Sequence, residues 1–468
     1  MALERAPDSV TVGAIADQLV WHIAQNSPME NNLLSQRRPA RQFLFDSLFG
    51  FGLIFAIAVV FIVDRRSRPP EMEYAAGGEE VETKRSLLGT TQPARRKPTP
   101  KADSVYAERT TENKEEFVKK RGGSPISEVA VQSGLDWLSR HQAQNGSWSN
   151  GCLGNGSGSC CERTSSVCTF PGDSYAVAQT GLALLAFQGG GHFTFNDTTY
   201  STQVKRGLDW LLSTQRQDGC FLTPGRVPSM YEHAIATFAL AEACAIAKDS
   251  DEKMDGKYRE SLEKAINYIE VFQDPQGGGW RYTPKQPGDS SVSGWVVLAL
   301  KSALAAGVKV KPEVLKKCIA FFKSIEIGQS GRTGYLNNKT LHTEATTGVG
   351  MLVHHFLLET SDSSLVANAS SYLANVSRKW LVQTPEADYY LWYKCTLGMY
   401  LAGGENWDKW NNSVRDSIIR LQAKDGCERG SWKPAGMEKA GGRICSTSLA
   451  ILTLEVYYRF AKKDKKLR

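Results

Sequence analysis

Residues 134–148, GLDWLSRHQAQNGSW, recur almost position for position at 207–221, GLDWLLSTQRQDGCF. Both read G-L-D-W-L-x-x-x-Q-x-Q-[ND]-G-x-aromatic. A third copy is AINYIEVFQDPQGGGW (265–280), a degenerate fourth is CIAFFKSIEIGQSGRTGY (318–335), and another clear one is VRDSIIRLQAKDGCERGSW (414–432). Between the last two lies a weaker candidate, SSYLANVSRKWLVQ (370–383). Recurrence of this kind marks a repeat architecture, in which each unit buries its apolar face against its neighbours.

The physics of each copy is the same. Leu135, Trp137 and Leu138 share one helical face, as do Leu208, Trp210, Leu211 and Leu212. The Asn-Gly or Asp-Gly pair ends the helix through left-handed backbone geometry, and the Gln before it can satisfy free backbone groups there. The aromatic residue after the turn can then pack back. Between the copies run six apolar segments rich in small residues: 173–187, 231–247, 290–307, 343–359, 389–404 and 445–460. Several are apolar on almost every face, which suits the inner ring of a closed helical barrel. Six outer and six inner helices over 126–468 predict an all-α (α/α)6 toroid, with no segment of convincing period-two alternation.

The N-terminal third has a different composition. Residues 47–63, SLFGFGLIFAIAVVFIV, carry no charge; with Phe43 to Phe45 the apolar stretch is long enough for one transmembrane helix over 43–64. Arg37, Arg38 and Arg41 precede it, and Arg65, Arg66 and Arg68 follow it. Residues 1–42 read as an N-terminal extension. Residues 65–125, poor in large apolar side chains, read as a disordered tether of roughly 40 Å r.m.s. reach. The net charge of +7 sits largely in this third. Beside a bilayer, basic runs favour lipid headgroups, and no nucleic-acid-binding signature accompanies them, so no nucleic-acid partner is expected. The expected localisation is a single-pass membrane protein, its partners being the bilayer through 43–64 and an isoprenoid, another lipid or a protein.

The elements at 142–148, 215–221 and 273–280 resemble the QW motif of the squalene cyclase and protein prenyltransferase superfamily. The closing stretches 392–411 and 430–460 are similar to membrane-anchored bacterial proteins carrying prenyltransferase and squalene-oxidase repeats. The resemblance spans about 126–468 and implies the toroid fold. The cyclases' D-x-D-D or D-C-T-A acid element, the prenyltransferases' D-x-C zinc pair and the thioester domains' G-C-G-E-Q motif have no counterpart here. No metal or other cofactor is therefore expected, and a non-catalytic binding or scaffold role is favoured. The alternative is a terpenoid cyclase or prenyl-transferring enzyme with a non-standard acid.

The inner helices' N-terminal ends should line the toroid mouth. Candidate ligand-binding residues there are Asp173, Tyr175, Tyr231, Trp295, Glu344, Tyr390 and Trp392; Asp289, Glu232 and His233 are the candidate catalytic groups. Aromatic faces stabilise positive charge, and a buried carboxylic acid could donate a proton. Asp173, Asp289 and Thr343 also stand where helix caps stand. Four of ten cysteines, Cys152, Cys160, Cys161 and Cys168, share one Gly/Ser-rich loop. Their spacing lacks the paired C-x2-C of a zinc ribbon, leaving disulfides, a metal or free thiols open. A disulfide staple would fit an extracytoplasmic C-terminal domain.

Overall fold

The computed structural model describes residues 98–459, except 103, 111–113, 150–174, 340, 362, 381–386 and 436–440. The chain divides into two compact units, Met1–Thr90 and Thr91–Arg468, and only the second contains described residues. The extension 1–42, the apolar stretch 43–64 and the tether as far as residue 97 therefore lie outside them. So do Asp173 and the four loop cysteines. Among the described residues no helix is long and apolar enough to cross a membrane.

The second unit is helical, and its only bridges among the described residues are isolated pairs at turns. After a short helix α1 (Lys114–Lys120), six hairpins follow. Their first, outer helices are α2 (Pro125–Arg140), α4 (Ser201–Ser213), α6 (Gly256–Val271), α8 (Pro312–Ser324), α10 (Ser364–Trp380) and α12 (Gly404–Leu421). Their second, inner helices are α3 (Ala176–Gly189), α5 (Met230–Asp249), α7 (Ser290–Ala305), α9 (Glu344–Phe356), α11 (Tyr389–Ala402) and α13 (Gly442–Leu454). A last turn, α14 (Val456–Arg459), closes the described chain. Each inner helix packs on the next, and α13 packs on α3, so the inner ring closes in the arrangement of an α/α toroid.

Sequence explains which helix goes where. Outer helix α2 buries Val131, Gly134, Leu135, Trp137 and Leu138 on one stripe and leaves Ile126 and Val129 in solvent. It opens with a capping box, Ser124 with Ser127, and a proline at its first turn. Inner helix α3 is buried along its entire length, because other helices cover both of its sides.

The repeated motif is the joint between hairpins. The Gln142 side-chain amide donates to Gly146 O in its own turn and to Gln203 O in the next outer helix, both at 2.9 Å. Gln215 repeats this with Gly219 and Ser261 (3.0 and 2.8 Å), and Gln273 with Gly278 and Val314 (2.8 and 2.9 Å). Gln422 donates to Gly430 and to Ala130 of the first outer helix, both at 2.8 Å, so the same joint closes the ring. The motif's tryptophans, Trp148, Trp280 and Trp432, each donate from the indole to a carbonyl of the preceding outer helix at 2.8 Å. Gly430 has φ +93°, and a Cβ there would run into the Ser133 carbonyl; Gly146 and Gly219 stand likewise against Arg206 and Lys264. In the degenerate fourth copy Glu326 takes the glutamine's place in the bridge, and His354 lies 3.1 Å from it.

The seam between last and first hairpins has further ties. Trp137 donates to Cys427 O at 3.1 Å and Arg140 to Arg429 O at 3.1 Å. Cys427 is itself disulfide-bonded. Cys220, Cys244, Cys318 and Cys395 are free thiols.

The tether expected through residue 125 ends earlier. Tyr106, Ala107, Arg109 and Val118 are buried, and α1 falls inside the expected tether. Few apolar anchors are needed because charge holds this strap. Arg109 pairs with Glu242 at 2.8 Å, Glu242 pairs with Arg459 at 2.5 Å, and Arg459 lies 3.6 Å from Glu455, all within 1% of full burial. The strap crosses the end where the inner helices finish, opposite the mouth; Lys101, near its start, pairs with Asp251 just past α5.

Candidate functional site

The inner helices begin at the mouth, and three consecutive loops there are laced together. Met230 N–H donates to Tyr282 O and Ser290 N–H to Tyr335 O, each at 2.9 Å. The Tyr282 and Tyr335 hydroxyls lie 2.9 Å apart. On this frame Val227, Tyr282 and Leu341 stand exposed by 75%, 47% and 71%, an unusual placing for three large apolar side chains on neighbouring loops. Arg226, Arg281, Lys285, Lys339 and His342 lie in the same loops.

Beneath the loops, aromatic side chains fill the toroid axis. In α11 the spacing 390, 393, 394 puts Tyr390, Tyr393 and Lys394 on one face. Trp295 of α7 stacks on Tyr393 with centroids 5.6 Å apart, and Tyr231 of α5 meets Trp295 edge-on at 6.4 Å. The Tyr390 hydroxyl bonds Ser291 at 2.6 Å. The Lys394 ammonium position lies 3.5 Å from the Trp295 ring centroid, 5.4 Å from that of Tyr393 and 5.8 Å from that of Tyr390. Lys394 is 0% exposed, and Nζ has no hydrogen-bond partner among the described residues. Burial holds its pKa well below the ordinary lysine value. Further down the axis, the void between Tyr393, Leu397, Leu452 and Arg459 is too narrow for a water-sized sphere.

The expected site residues divide accordingly. Tyr231, Trp295 and Tyr390 come together in the axis cluster. Tyr175 lies under the Arg226 guanidinium at 4.3 Å, at the rim. Trp392 is on the opposite face of α11 from Lys394, edge-on to Tyr389 at 5.6 Å; one turn on, Thr396 accepts from Trp410 of outer helix α12. Trp392 therefore packs between the two rings. Glu344 accepts from the Tyr372 hydroxyl of α10 at 3.0 Å, away from the cluster.

The three candidate catalytic groups have structural duties. Asp289 caps α7, accepting from Val292 N–H at 2.8 Å, and Arg281 approaches to 3.9 Å. Burial pushes its carboxyl up to about 6 against those opposing influences. Glu232 accepts from Thr223 at 2.5 Å and lies 3.9 Å from Arg226; burial raises its pKa too. His233 accepts from Phe221 N–H at Nδ1 (3.1 Å), while Nε2 faces Ala265 O at 3.1 Å. Burial lowers His233 to about 4, so the ring is neutral with its proton on Nε2. At the same repeat position Thr180, Ser293 and Thr447 accept the N–H of Trp148, Trp280 and Trp432. His233 is that acceptor in the second repeat. Among the described residues no group of three or more His, Cys, Asp or Glu is placed to hold a metal.

Two features went unpredicted. One is Lys394, whose signal is plain in hindsight: a lone lysine within the inner-helix run YYLWYKCTLGMYLA. The other is the buried network of Arg109, Glu242, Arg459 and Glu455, whose members lie too far apart in sequence to suggest one another.

No family's sequence profile matches the chain, and no curated protein matches it. Several solved structures are similar to it. A type II terpene cyclase from Scytonema is 10% identical with a TM-score of 0.46, covering 71% of this chain and 96% of that one. An α-1,6-mannanase of Salegentibacter is 11% identical with a TM-score of 0.46, covering 71% and 99%. An α-amylase from Clostridium perfringens is 11% identical with a TM-score of 0.43, covering 70% and 97%. Likeness at this level carries no functional argument, and the toroid rests on the helix packing described above.

Proposed function

We propose that this protein is a non-catalytic binding module, held at a membrane by residues 43–64, whose mouth docks an anionic amphiphile such as an acidic lipid. The observation that carries this reading is the laced rim. Val227, Tyr282 and Leu341 are held in solvent by loops that also carry Arg226, Arg281, Lys285 and Lys339. Glu232 and Asp289 offset two of these charges, and the remaining excess is positive. An apolar body with an acidic end satisfies both halves of such a rim. The axis below is occupied by the protein's own side chains, which favours docking at the rim over deep insertion.

Native mass spectrometry of the full chain, released from mild detergent in the presence of phosphatidic acid, tests this. Wild type should retain one lipid, and the Arg281→Glu/Tyr282→Asp double variant should lose it. Equal retention by both proteins removes the rim as the site.

A second reading has one observation in its favour. Asp289 is a buried carboxyl near an aromatic cluster, and burial raises it to about 6, so part of it keeps a proton just below neutrality. An isoprenoid turnover assay that Asp289→Asn abolishes would favour this terpenoid-enzyme reading over the docking module.

A further inference from the structure

The axis contains one amine that meets aromatic faces and is paired with no carboxylate or carbonyl among the described residues. Lys394 is a primary amine at 0% exposure with no carboxylate or carbonyl partner among the described residues. Burying an ammonium without a counter-charge is costly, and an apolar residue of the same volume would fill the space without that cost. A lysine here therefore calls for a use. Its surroundings are the three aromatic faces of Trp295, Tyr390 and Tyr393. Desolvated lysines of this kind are the ones that react with carbonyl compounds, because their amine is unprotonated near neutrality.

The amine is close to the mouth. Ser291, Tyr231 and Tyr390 each occupy the second position of their inner helix, and Trp295 and Lys394 lie one turn below. One turn is roughly 6 Å, so a single layer of side chains separates Nζ from the loops. That layer is tied by hydrogen bonds of Tyr390 with Ser291 and Tyr231, and an aldehyde reaches the amine only when the Tyr390 side chain rotates away and vacates its place.

We propose that Lys394 is a covalent capture site for a small aldehyde, held in the Trp295–Tyr390–Tyr393 cage as an imine. The Nζ lone pair forms the C–N bond as the carbonyl π pair moves to oxygen. The amine gives up both N–H protons, the oxygen takes both, and the C–O bond breaks to release water. Nothing is oxidised or reduced, and the net change is amine plus aldehyde giving imine plus water. This site is separate from the rim, since the Arg281→Glu/Tyr282→Asp double variant should lose lipid docking and keep capture.

The test is reductive trapping. The full chain is incubated at pH 7 with limiting butanal and sodium cyanoborohydride, which converts any imine to a stable butylamine. The site is then mapped by peptide mass spectrometry. An ordinary lysine is about 0.04% unprotonated at that pH. Lys394 should therefore be labelled at least tenfold more than the mean exposed lysine, and Tyr390→Phe should speed its labelling severalfold. Lys394→Met, which keeps volume, should fold and lose the dominant adduct. Labelling of Lys394 less than tenfold above that mean in wild type, while the urea-unfolded chain labels it readily, overturns the proposal. The wild-type map decides this even if neither variant folds.

Discussion

Replacing Gln422 by Leu removes the two hydrogen bonds that join the last hairpin to the first, while roughly keeping side-chain volume. Both are 2.8 Å bonds from a buried amide, to Gly430 O and Ala130 O. Each such bond has a net value near 1 kcal/mol, with more lost where a carbonyl is left dry. Ala130 lies inside α2, where its carbonyl keeps a helical partner, so the expected loss is about 2–3 kcal/mol. For a unit of this size that lowers the urea midpoint by about 1 M, read by circular dichroism. The control is Gln215→Leu, which breaks the same pair of bonds at an internal joint, to Gly219 and Ser261. A closed ring requires the two variants to lose comparable stability. If Gln422→Leu costs under about 0.5 kcal/mol while Gln215→Leu costs its full share, the seam is open in solution and the reasoning fails.

Other outcomes follow from the same structure. Arg109→Met leaves Glu242 with one of its two cationic partners in a buried network, and should cost about 3–5 kcal/mol by thermal or urea unfolding. A loss under 1 kcal/mol would mean that the strap is dispensable. His233 is neutral when folded, with a pKa of about 4 against an ordinary 6.5. Between those values the unfolded chain binds a proton that the folded one does not, so stability falls as pH drops from 6.5 towards 4. The largest contribution of this histidine is about 3 kcal/mol. His233→Asn, which keeps an acceptor for Phe221 N–H, should make that decline shallower by one proton; an unchanged slope would exonerate His233. Non-reducing peptide mapping should find Cys427 in a disulfide, and reduction should cost about 2–5 kcal/mol. A free Cys427 thiol would contradict the structure.

Most of the helical arrangement was legible in the sequence because one physical unit is written several times. The Gln, the Asn-Gly or Asp-Gly turn and the aromatic residue mark each joint, and even the weak copy at 370–383 overlaps an outer helix, α10. The strap at 104–120 was not legible. Its attachment depends on Arg109 meeting Glu242 and Arg459, and composition alone cannot reveal a partner 133 or 350 residues away. The mouth was half legible. Helix starts could be read, and Tyr231, Trp295 and Tyr390 lie together near them in the structure. Which face each presents depends on the register of α11, and this separates Trp392 from Tyr390. His233 misled for a different reason. Histidine, threonine and serine all accept the same backbone N–H at that repeat position, and only histidine suggests chemistry.

The docking claim at the rim can be tested most directly by hydrogen–deuterium exchange on the full chain in detergent, with and without phosphatidic acid. Added lipid should slow exchange in the loops 222–229, 281–289 and 334–343 and leave the outer helices unchanged. Protection spread over the outer helices, or none in those three loops at saturating lipid, would contradict it.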